Sequence, residues 1–393
     1  MDNFGASKDD PLVEPGEHVI GAFVGDPAGP TLIVVGSVHG NEPAGLIAIK
    51  WVAEQMPGIE KHLKGRLFLI AGNSRALGDR VRFIDQDLNR AWTADEFSAR
   101  PRSDPSSEHL ELTELVQIFD SILIKSSDEV FILDLHSTSA SGVPFATVGD
   151  TLRNRDFAMR FPVTVLLGIE EQLDGTMLEH FNELGAVTLG FEGGSHGSPD
   201  TVNNHESMIW AALAHAGLLD PVHIPDADRH FARLGEIATG PRIVEVRYRH
   251  AISATDGFEM DPGYNNFDEV TKGERVGVDK NGAVHAPETG LMLMPLYQRL
   301  GTDGFFIGRK VAPFWLWLSA ILRKIGVQRM VHWLPGVTQT PGDPERLIVN
   351  TRVARLFPLQ IFHLLGYRRR RWDGDKLIVR RRRHDTVSPF RRN

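Results

Sequence analysis

Between residues 16 and 217, short apolar runs rich in β-branched residues alternate with longer amphipathic runs. The short runs are TLIVVGSVHG, GRLFLIAGN and EVFILDLHS, and the longer ones are GLIAIKWVAEQM, LTELVQIFDSILI and ESMIWAALAHA. Runs of the first kind are typical of buried strands, and runs of the second kind are typical of helices. Because strands that alternate with helices build parallel sheets, the sequence predicts an α/β fold with a largely parallel sheet covered on both faces.

The alternation stops after about residue 230, and the rest of the chain has a different pattern. Short strand-like runs separated by Asp-Gly, Lys-Gly and Asn-Gly turn signals follow, and two amphipathic segments and a basic tail come last. We therefore predict a main α/β domain over residues 16–230, a small β-rich domain over 236–308 and a helical basic extension over 309–393.

The chain contains no cysteine, which excludes disulfides, thiolate zinc sites and cysteine nucleophiles. A metal would therefore need histidine and carboxylate ligands. The first residues lack the apolar core of a secretory signal, and no apolar run approaches the roughly 18 to 20 residues that span a bilayer. These features predict a cytoplasmic protein that is not integral to a membrane.

Two histidines and a glutamate lie where predicted strands end. His39 and Glu42 are three residues apart at a strand-to-helix junction, and the next strand ends at His136. Open α/β sheets bind ligands at the carboxyl ends of their strands, and two histidines with one glutamate are an established set of catalytic zinc ligands. The His-x-x-Glu spacing alone also fits a solvated helix start. The prediction of a metal site therefore depends on the convergence of two strand ends.

Polar side chains near these positions suggest further roles. Asp134 lies two residues before His136 on an extended strand, where it supports either a metal ligand or only the backbone. The segment RFIDQDLNR contains Arg82, Asn89 and Arg90, whose side chains suit either carboxylate recognition or a solvated, ion-paired loop.

Glu192 ends another apolar strand, AVTLGFE, and two glycines follow it. A carboxylate at this position is either a general base that takes a proton from the attacking water of a zinc hydrolase or a surface residue in a turn. His196, in the same loop, either lines the pocket or is exposed.

Taken in order, HGNE, RFIDQDLNR, LDLHS and GFEGG resemble the motifs of the succinylglutamate desuccinylase/aspartoacylase family, a branch of the zinc carboxypeptidase fold. The resemblance covers roughly residues 16 to 308, because the GYNNF, KGERV and APETG runs are similar to the small C-terminal β domain of that family. It implies a mixed, mostly parallel sheet with helices on both faces. It also implies one zinc ion per chain, although the sequence leaves open which divalent metal is bound.

The resemblance implies three zinc ligands, which are His39, Glu42 and His136. It also implies that Glu192 is the general base and later the proton donor to the leaving amine, and that Arg82 polarises the amide carbonyl. Asn89 and Arg90 would hold the α-carboxylate of the substrate. The implied reaction is hydrolysis of the amide bond of a small, carboxylate-bearing N-acyl amino acid. Metallocarboxypeptidase action on peptide C-termini is the alternative enzymatic activity.

One departure from the family pattern concerns the substrate. Aspartoacylases have an arginine shortly before the general base, whereas this chain has LEHFNELGAVTLGFE there, without arginine. This difference argues against N-acetylaspartate as the substrate. His180 in this stretch is either a partial substitute for the arginine or a surface residue of an amphipathic helix.

The C-terminal extension has the opposite charge balance to the rest of the chain. Residues 309–393 carry 19 Lys/Arg against 5 Asp/Glu, a balance of +14, whereas residues 1–308 carry 24 against 46, a balance of −22. Trp315 and Trp317 lie in an apolar segment that ends in Arg323-Lys324, and a second apolar segment precedes four consecutive arginines. This composition fits helices that pack on the catalytic domain or a second subunit, a peripheral contact with anionic membranes, or contact with nucleic acid.

These options leave two questions open. A non-enzymatic module that binds lipid or nucleic acid through the basic tail is the alternative to an enzyme. The sequence also does not count subunits, so a homo-oligomer is compatible with it.

Overall fold

The computed structural model of the chain describes residues 12–98, 104–169, 172–298, 300–350, 353, 359–373 and 376–391. The strands of the first part are β1 (Val19–Val24), β2 (Thr31–Gly36), β3 (Arg66–Ala71), β4 (Val130–Thr138), β5 (Phe145–Val148), β6 (Thr164–Leu167) and β7 (Val187–Ser195). The helices of this part are α1 (Ala44–Gln55), α2 (Ser74–Asp79), α3 (Ala94–Ser98), α4 (Ser107–Ile124), α5 (Leu152–Ala158), α6 (Met177–Glu183), α7 (Pro199–His215) and α8 (Ala227–Glu236).

The second part of the chain is dominated by strands. They are β8 (Ile243–Ala251), β9 (Glu259–Met260), β10 (Glu269–Val270), β11 (Arg275–Asp279), β12 (Gly282–His285), β13 (Gly290–Leu293), β14 (Asp303–Lys310), β15 (Val337–Thr340), β16 (Asp343–Asn350), β17 (Tyr367–Asp373) and β18 (Lys376–Arg381). The helices of the described residues in this part are α9 (Pro313–Lys324) and α10 (Leu359–Leu364). Short 3-10 helices cover Glu60–His62, Leu88–Arg90, Pro221–His223 and Val327–Trp333.

A large mixed sheet runs through the main domain in the order β1-β3-β2-β4-β7-β5-β6-β8-β14-β13-β10. The strands β3, β2, β4 and β7 are parallel neighbours, and so are β5, β6 and β8. Antiparallel pairs lie at both edges and between β5 and β7. The predicted α/β class and the mixed sheet are therefore confirmed.

Both faces of this sheet are covered, which follows from the apolar character of its central strands. In β2, Leu32 and Val34 join the core under α1 and α7, while Ile33 and Val35 join the core under α4. Successive residues of a strand point to opposite faces, so an all-apolar strand needs a hydrophobic layer on each side. The predicted cover of helices on both faces is confirmed.

Hydrogen bonding continues across the predicted border near residue 230. Strand β8 pairs in parallel with β6, and β14 pairs with β8, so residues 243–310 extend the large sheet. Strands β9, β11 and β12 form a separate three-stranded sheet. The region 236–308 is therefore β-rich, as predicted, while the division into domains 16–230, 236–308 and 309–393 stays a prediction.

The C-terminal extension contains the two expected amphipathic helices, α9 and α10, and also a four-stranded sheet in the order β15-β16-β18-β17. The basic tail was not predicted as strands because its arginine runs obscure a short period-two pattern. In β18, Leu377 and Val379 are buried and pack with Leu347 and Val349 of β16. Among the described residues, no helix combines the length and the apolar character that crossing a bilayer demands.

Candidate active site

The predicted metal ligands and the predicted general base lie at the carboxyl ends of three neighbouring strands, β2, β4 and β7. His39 and Glu42 occupy the loop between β2 and α1, His136 lies near the end of β4, and Glu192 lies on β7. The β4–β7 register places His136 directly beside Glu192. In the sheet, β2 lies between β3 and β4. The chain goes from β2 through α1 to β3 on one side, whereas β4 lies on the other side. The loop after β2 therefore lies at the kind of crevice where α/β sheets bind ligands.

The HGNE loop is fixed by its own backbone. Ser37 adopts a positive φ of 58°, and its hydroxyl donates to the carbonyl oxygen of Glu42 at 3.0 Å. Gly40 N donates to the carbonyl oxygen of Arg82 at 3.1 Å, which ties the two predicted motifs together. A Cβ atom at Gly40 would lie 2.2 Å from the carbonyl carbon of Ala76, so only glycine fits this approach.

The structure brings the three predicted metal ligands together. His39 Nδ1 is 2.9 Å from Glu42 Oε1, and His136 Nδ1 is 3.1 Å from Glu42 Oε2. The backbone N–H of Ser137 also donates to Glu42 Oε2, at 2.9 Å. Both imidazoles therefore turn their Nδ1 atoms toward one carboxylate. The role of these residues as ligands stays a prediction.

A second carboxylate holds the far side of each imidazole. Asp87 Oδ1 is 3.1 Å from His39 Nε2, and Asp134 Oδ2 is 2.8 Å from His136 Nε2. The strand alternation predicted the position of Asp134, whereas the role of Asp87 was missed. A carboxylate at Nε2 keeps the proton on that nitrogen and leaves Nδ1 as an electron-pair donor, which is the usual arrangement of metal-binding histidines.

The charges of the cluster are strongly coupled. Burial acts to raise the pKa of Glu42, but the nearby His39 and His136 outweigh it and hold that pKa well below the usual range. For His136, burial acts to lower the pKa, but Asp134 and Glu42 outweigh it and raise the pKa well above the usual value. The site therefore pairs an ionised carboxylate with an imidazole that is readily protonated, so His136 must lose a proton before its Nδ1 can bind a cation.

The donor set fits zinc in chemistry and in size. Zinc prefers imidazole nitrogen and carboxylate oxygen when thiolates are absent, and tetrahedral bonds of about 2.0–2.2 Å separate its ligand atoms by roughly 3.3–3.6 Å. The ligand atoms of His39, Glu42 and His136 all lie within 4.8 Å of one another. The three donors are therefore close enough to share one ion.

Glu192 faces the same cleft with an unsatisfied carboxylate. Its Oε2 is shielded from solvent, and among the described residues it has no hydrogen-bond partner. Burial raises the pKa of Glu192 to about 7, and Glu42 contributes to the increase, while His136 opposes it. A carboxyl group that titrates near neutrality and is not consumed by a structural bond is suited to move protons.

Arg82 lies beside the cluster with its guanidinium turned toward it. Its two terminal nitrogens lie 3.4 Å from Glu42 Oε1 and 3.3 Å from Asp87 Oδ2. The loop that carries Arg82 is held by Glu108, a fully buried residue of α4 that the sequence analysis did not identify. The carboxylate of Glu108 accepts from the backbone N–H groups of three successive loop residues, 84 to 86, at 2.7, 2.9 and 3.2 Å.

Asn89 and Arg90 also line the cleft, but both already have partners. Asn89 Oδ1 accepts from the backbone N–H of Met177 at 2.9 Å. One terminal nitrogen of Arg90 donates to Asp303 Oδ2 at 2.9 Å, and Arg249 Nε donates to Asp303 Oδ1 at 2.5 Å. Asp303, which the sequence analysis missed, thus shares its charge between two arginines.

The remaining wall of the cleft is largely apolar. It is formed by Ile169, Leu173, Leu178, Met294, Leu296 and Phe306. His196 is half-buried beside the site, with Nδ1 2.8 Å from Ser137 Oγ and Nε2 3.2 Å from Gln298 Oε1. His180 lies outside the cleft on α6 and packs against Phe97, with ring centroids 4.7 Å apart.

The comparison with protein families agrees with this arrangement of fold and site. Residues 28–216 match the model of the succinylglutamate desuccinylase/aspartoacylase catalytic domain. This segment includes the strands β2, β4 and β7 together with all seven predicted site residues. This match confirms the resemblance to the succinylglutamate desuccinylase/aspartoacylase family that the motifs predicted.

Curated relatives match over a shorter segment. The N-acyl-aromatic-L-amino acid amidohydrolase (carboxylate-forming) of Xenopus laevis is 32% identical over 111 residues, which are 28% of this chain and 35% of that protein. The aspartoacylase of Danio rerio is also 32% identical over 111 residues, 28% of this chain and 34% of that protein. The matched part therefore spans about a third of the length of these relatives.

Solved structures show the same fold. A succinylglutamate desuccinylase/aspartoacylase from Rhodobacter sphaeroides has a TM-score of 0.53 at 20% identity and covers 72% of this chain and 87% of that chain. The ectoine utilization protein EutE (DoeB) from Ruegeria pomeroyi has a TM-score of 0.52 at 21% identity, with 72% and 86% coverage.

Proposed function

We propose that the chain is a zinc-dependent amidohydrolase that releases the acyl group from a small N-acyl amino acid. The observation that carries the proposal is the meeting of three potential ligands, His39, Glu42 and His136, with the unpaired carboxylate of Glu192 and the guanidinium of Arg82 in one cleft. The names of the relatives, which are an amidohydrolase of N-acyl aromatic amino acids and an aspartoacylase, support the same reaction.

His39, Glu42 and His136 would hold one zinc ion, with Asp87 and Asp134 fixing the two imidazoles. When bound, zinc supplies Lewis acidity, which lowers the pKa of a water molecule and polarises the carbonyl of the substrate amide. The absence of cysteine and the hydrogen-bonded His₂Glu set favour zinc of the catalytic type, which keeps a position open.

Glu192 takes the proton from the attacking water and later transfers it to the nitrogen of the leaving amine. Its raised pKa, about 7, allows both steps, because a carboxyl group in this range accepts and returns a proton near neutral pH. The guanidinium of Arg82 lies 3.4 Å from Glu42 Oε1, beside the proposed metal site, where its charge would stabilise the developing oxyanion.

Arg90 and Asn89 orient the substrate through its α-carboxylate. The guanidinium of Arg90 can donate to the α-carboxylate of the substrate as it now donates to the carboxylate of Asp303. The substrate therefore competes with Asp303 for Arg90. The apolar wall then receives the acyl group or the amino-acid side chain.

A substrate panel tests the proposal directly. Protein stripped by chelation and then reloaded with zinc should release free amine from N-acetyl-leucine or N-acetyl-phenylalanine, while the stripped protein should not. A peptide with a free C-terminus, assayed in parallel, tests the metallocarboxypeptidase alternative. If the protein releases C-terminal residues from the peptide faster than acyl groups from the amino acids, the proposed substrate class is wrong. If it turns over neither substrate, the proposal that the chain is an amidohydrolase is contradicted.

A further inference from the structure

Helix α9 and the 3-10 helix that follows it expose a large aromatic and aliphatic surface. This surface, the aromatic face, consists of Phe314, Trp315, Trp317, Ile321, Ile325 and Trp333. The exposed fractions reach 59% at Trp317, 69% at Ile325 and 70% at Trp333. Phe314 contacts both tryptophans of the helix, with ring centroids 5.4 and 5.8 Å apart. So many exposed apolar side chains on one short helical segment are a sign of an interaction surface.

The aromatic face is a consequence of helical spacing. Phe314, Trp317, Ile321 and Ile325 follow one another at intervals of three and four residues, so they share an arc of about 100° on the helix. The opposite side packs inward through Leu316, Ser319 and Arg323. Helix α9 therefore has one side that packs on the protein and an opposite apolar side that is exposed.

Buried polar contacts fix the orientation of α9. The guanidinium of Arg323 donates to Asp150 Oδ2 at 3.0 Å and to Asp385 Oδ1 at 3.3 Å. Ser319 Oγ donates to the carbonyl oxygen of Leu364 at 2.7 Å. The helix is thus pinned to the main domain on one side and to α10 on the other, so its apolar side cannot turn inward.

The charges around the aromatic face are of one sign. Residues 309–342 contain five Lys/Arg and no Asp/Glu. Within the described part of the chain, Lys324 and Arg329 are exposed and form no ion pair, whereas Arg309 and Lys310 pair with Glu245 and Glu269. Lys324 lies about 20° from Trp317 around the helix axis, so a free cation borders the apolar stripe.

We propose that the aromatic face docks on the surface of an anionic lipid bilayer. Tryptophan and aliphatic side chains partition into the headgroup region, and nearby Lys/Arg are attracted to acidic lipids, with each contributing to binding. Twelve residues of α9 are too few to cross a bilayer, so the helix would lie in the plane of the interface. A two-fold contact between copies would place these cations against each other, which disfavours a second copy as the occupant.

Vesicle flotation tests the proposal with the full chain. Protein should float with vesicles of phosphatidylcholine and phosphatidylglycerol, and much less with phosphatidylcholine alone. The double variant Trp317→Ser/Ile325→Ser should bind at least tenfold more weakly, and Lys324→Glu/Arg329→Glu about tenfold more weakly at low salt. Val222→Ser, which removes an apolar side chain that is 78% exposed elsewhere, and Lys272→Glu are the matched controls.

Other outcomes would overturn the proposal. Protein that stays unbound with anionic vesicles, or a double variant that floats like the wild type, contradicts membrane docking. Light scattering that gives a dimer, which Trp317→Ser/Ile325→Ser converts to a monomer, assigns the face to a second copy. Each variant should unfold at the wild-type temperature, because the replaced side chains are exposed. This control distinguishes a loss of membrane binding from a loss of folding.

Discussion

His136 and Glu192 are register partners on the adjacent parallel strands β4 and β7. The hydrogen-bonded sheet, rather than a loop, therefore sets the distance between a proposed zinc ligand and the proposed general base. Sites on rigid strands hold reacting groups in position more accurately than sites on loops.

Replacement of Glu192 by Gln should lower kcat by about 10²- to 10⁴-fold, because an amide cannot accept the proton of the attacking water. The zinc content should stay unchanged, since Glu192 is not among the proposed ligands. Both are measured on the same preparation, by amine release and by elemental analysis. Glu236→Gln, at an exposed position at the end of α8, is the matched control. Equal loss of activity in the two variants would contradict the role of Glu192.

The pH profile of kcat/KM should show an acidic limb that belongs to Glu192. Burial raises its pKa from 4.5 to about 7 in the metal-free site, and the base acts only when it is unprotonated, so activity falls as the pH drops through the pKa. A bound dication favours the carboxylate, so the limb should lie at or below pH 7. A limb centred above pH 8 would be at odds with this assignment.

Changes at His136 and Asp134 should affect metal binding to different degrees. His136→Ala removes a proposed ligand and should abolish stoichiometric zinc. Asp134→Asn removes only the charge that faces His136 Nε2 at 2.8 Å, so zinc affinity should fall about 10- to 100-fold. Competition with a fluorescent zinc chelator measures both. His285→Ala, at an exposed position, should bind zinc like the wild type. Full zinc occupancy in His136→Ala would rule out the proposed site.

Substrates with apolar side chains should be preferred over acidic ones. Arg82 lies 3.3 Å from Asp87, and Arg90 lies 2.9 Å from Asp303, so protein carboxylates already neutralise part of both cations. The cleft can therefore bind the α-carboxylate of the substrate but not a second carboxylate on its side chain. The kcat/KM ratio of N-acetyl-leucine to N-acetyl-aspartate measures this preference and should exceed tenfold. Asp303→Asn should lower the ratio by about tenfold, which corresponds to about 1.4 kcal/mol. A wild-type preference for the acidic substrate would contradict this view of the cleft.

The sequence identified what depends on strand ends and missed what depends on folded loops. His39, Glu42, His136 and Glu192 could be found because each follows an apolar run whose end faces the crevice. Asp134 followed from the two-residue period of a strand.

The partners that come from elsewhere could not be found in this way. Asp303 meets Arg90 from 213 residues away, and Glu108 binds the Arg82 loop from another helix. Neither has a local pattern, although Glu108 follows a serine that caps the start of a helix. The strands of the basic tail were also missed. Four successive arginines are typical of a solvated segment, and this signal outweighs the alternation of apolar residues that indicates strands.

The side chain of Arg323 is fully buried between the main domain and the extension. Its guanidinium donates to Asp150 and Asp385 and to the carbonyl oxygens of residues 150, 363 and 364. Arg323→Met should lower the free energy of unfolding by about 3 kcal/mol, because Asp150 and Asp385 each lose one of two cationic partners and the buried carbonyl oxygens lose their donor. The neighbouring Lys324→Met removes the same charge from an exposed position and should change stability by about 0.5 kcal/mol or less. Urea unfolding of both variants measures the difference, and equal stabilities would mean that Arg323 does not hold the extension on the domain.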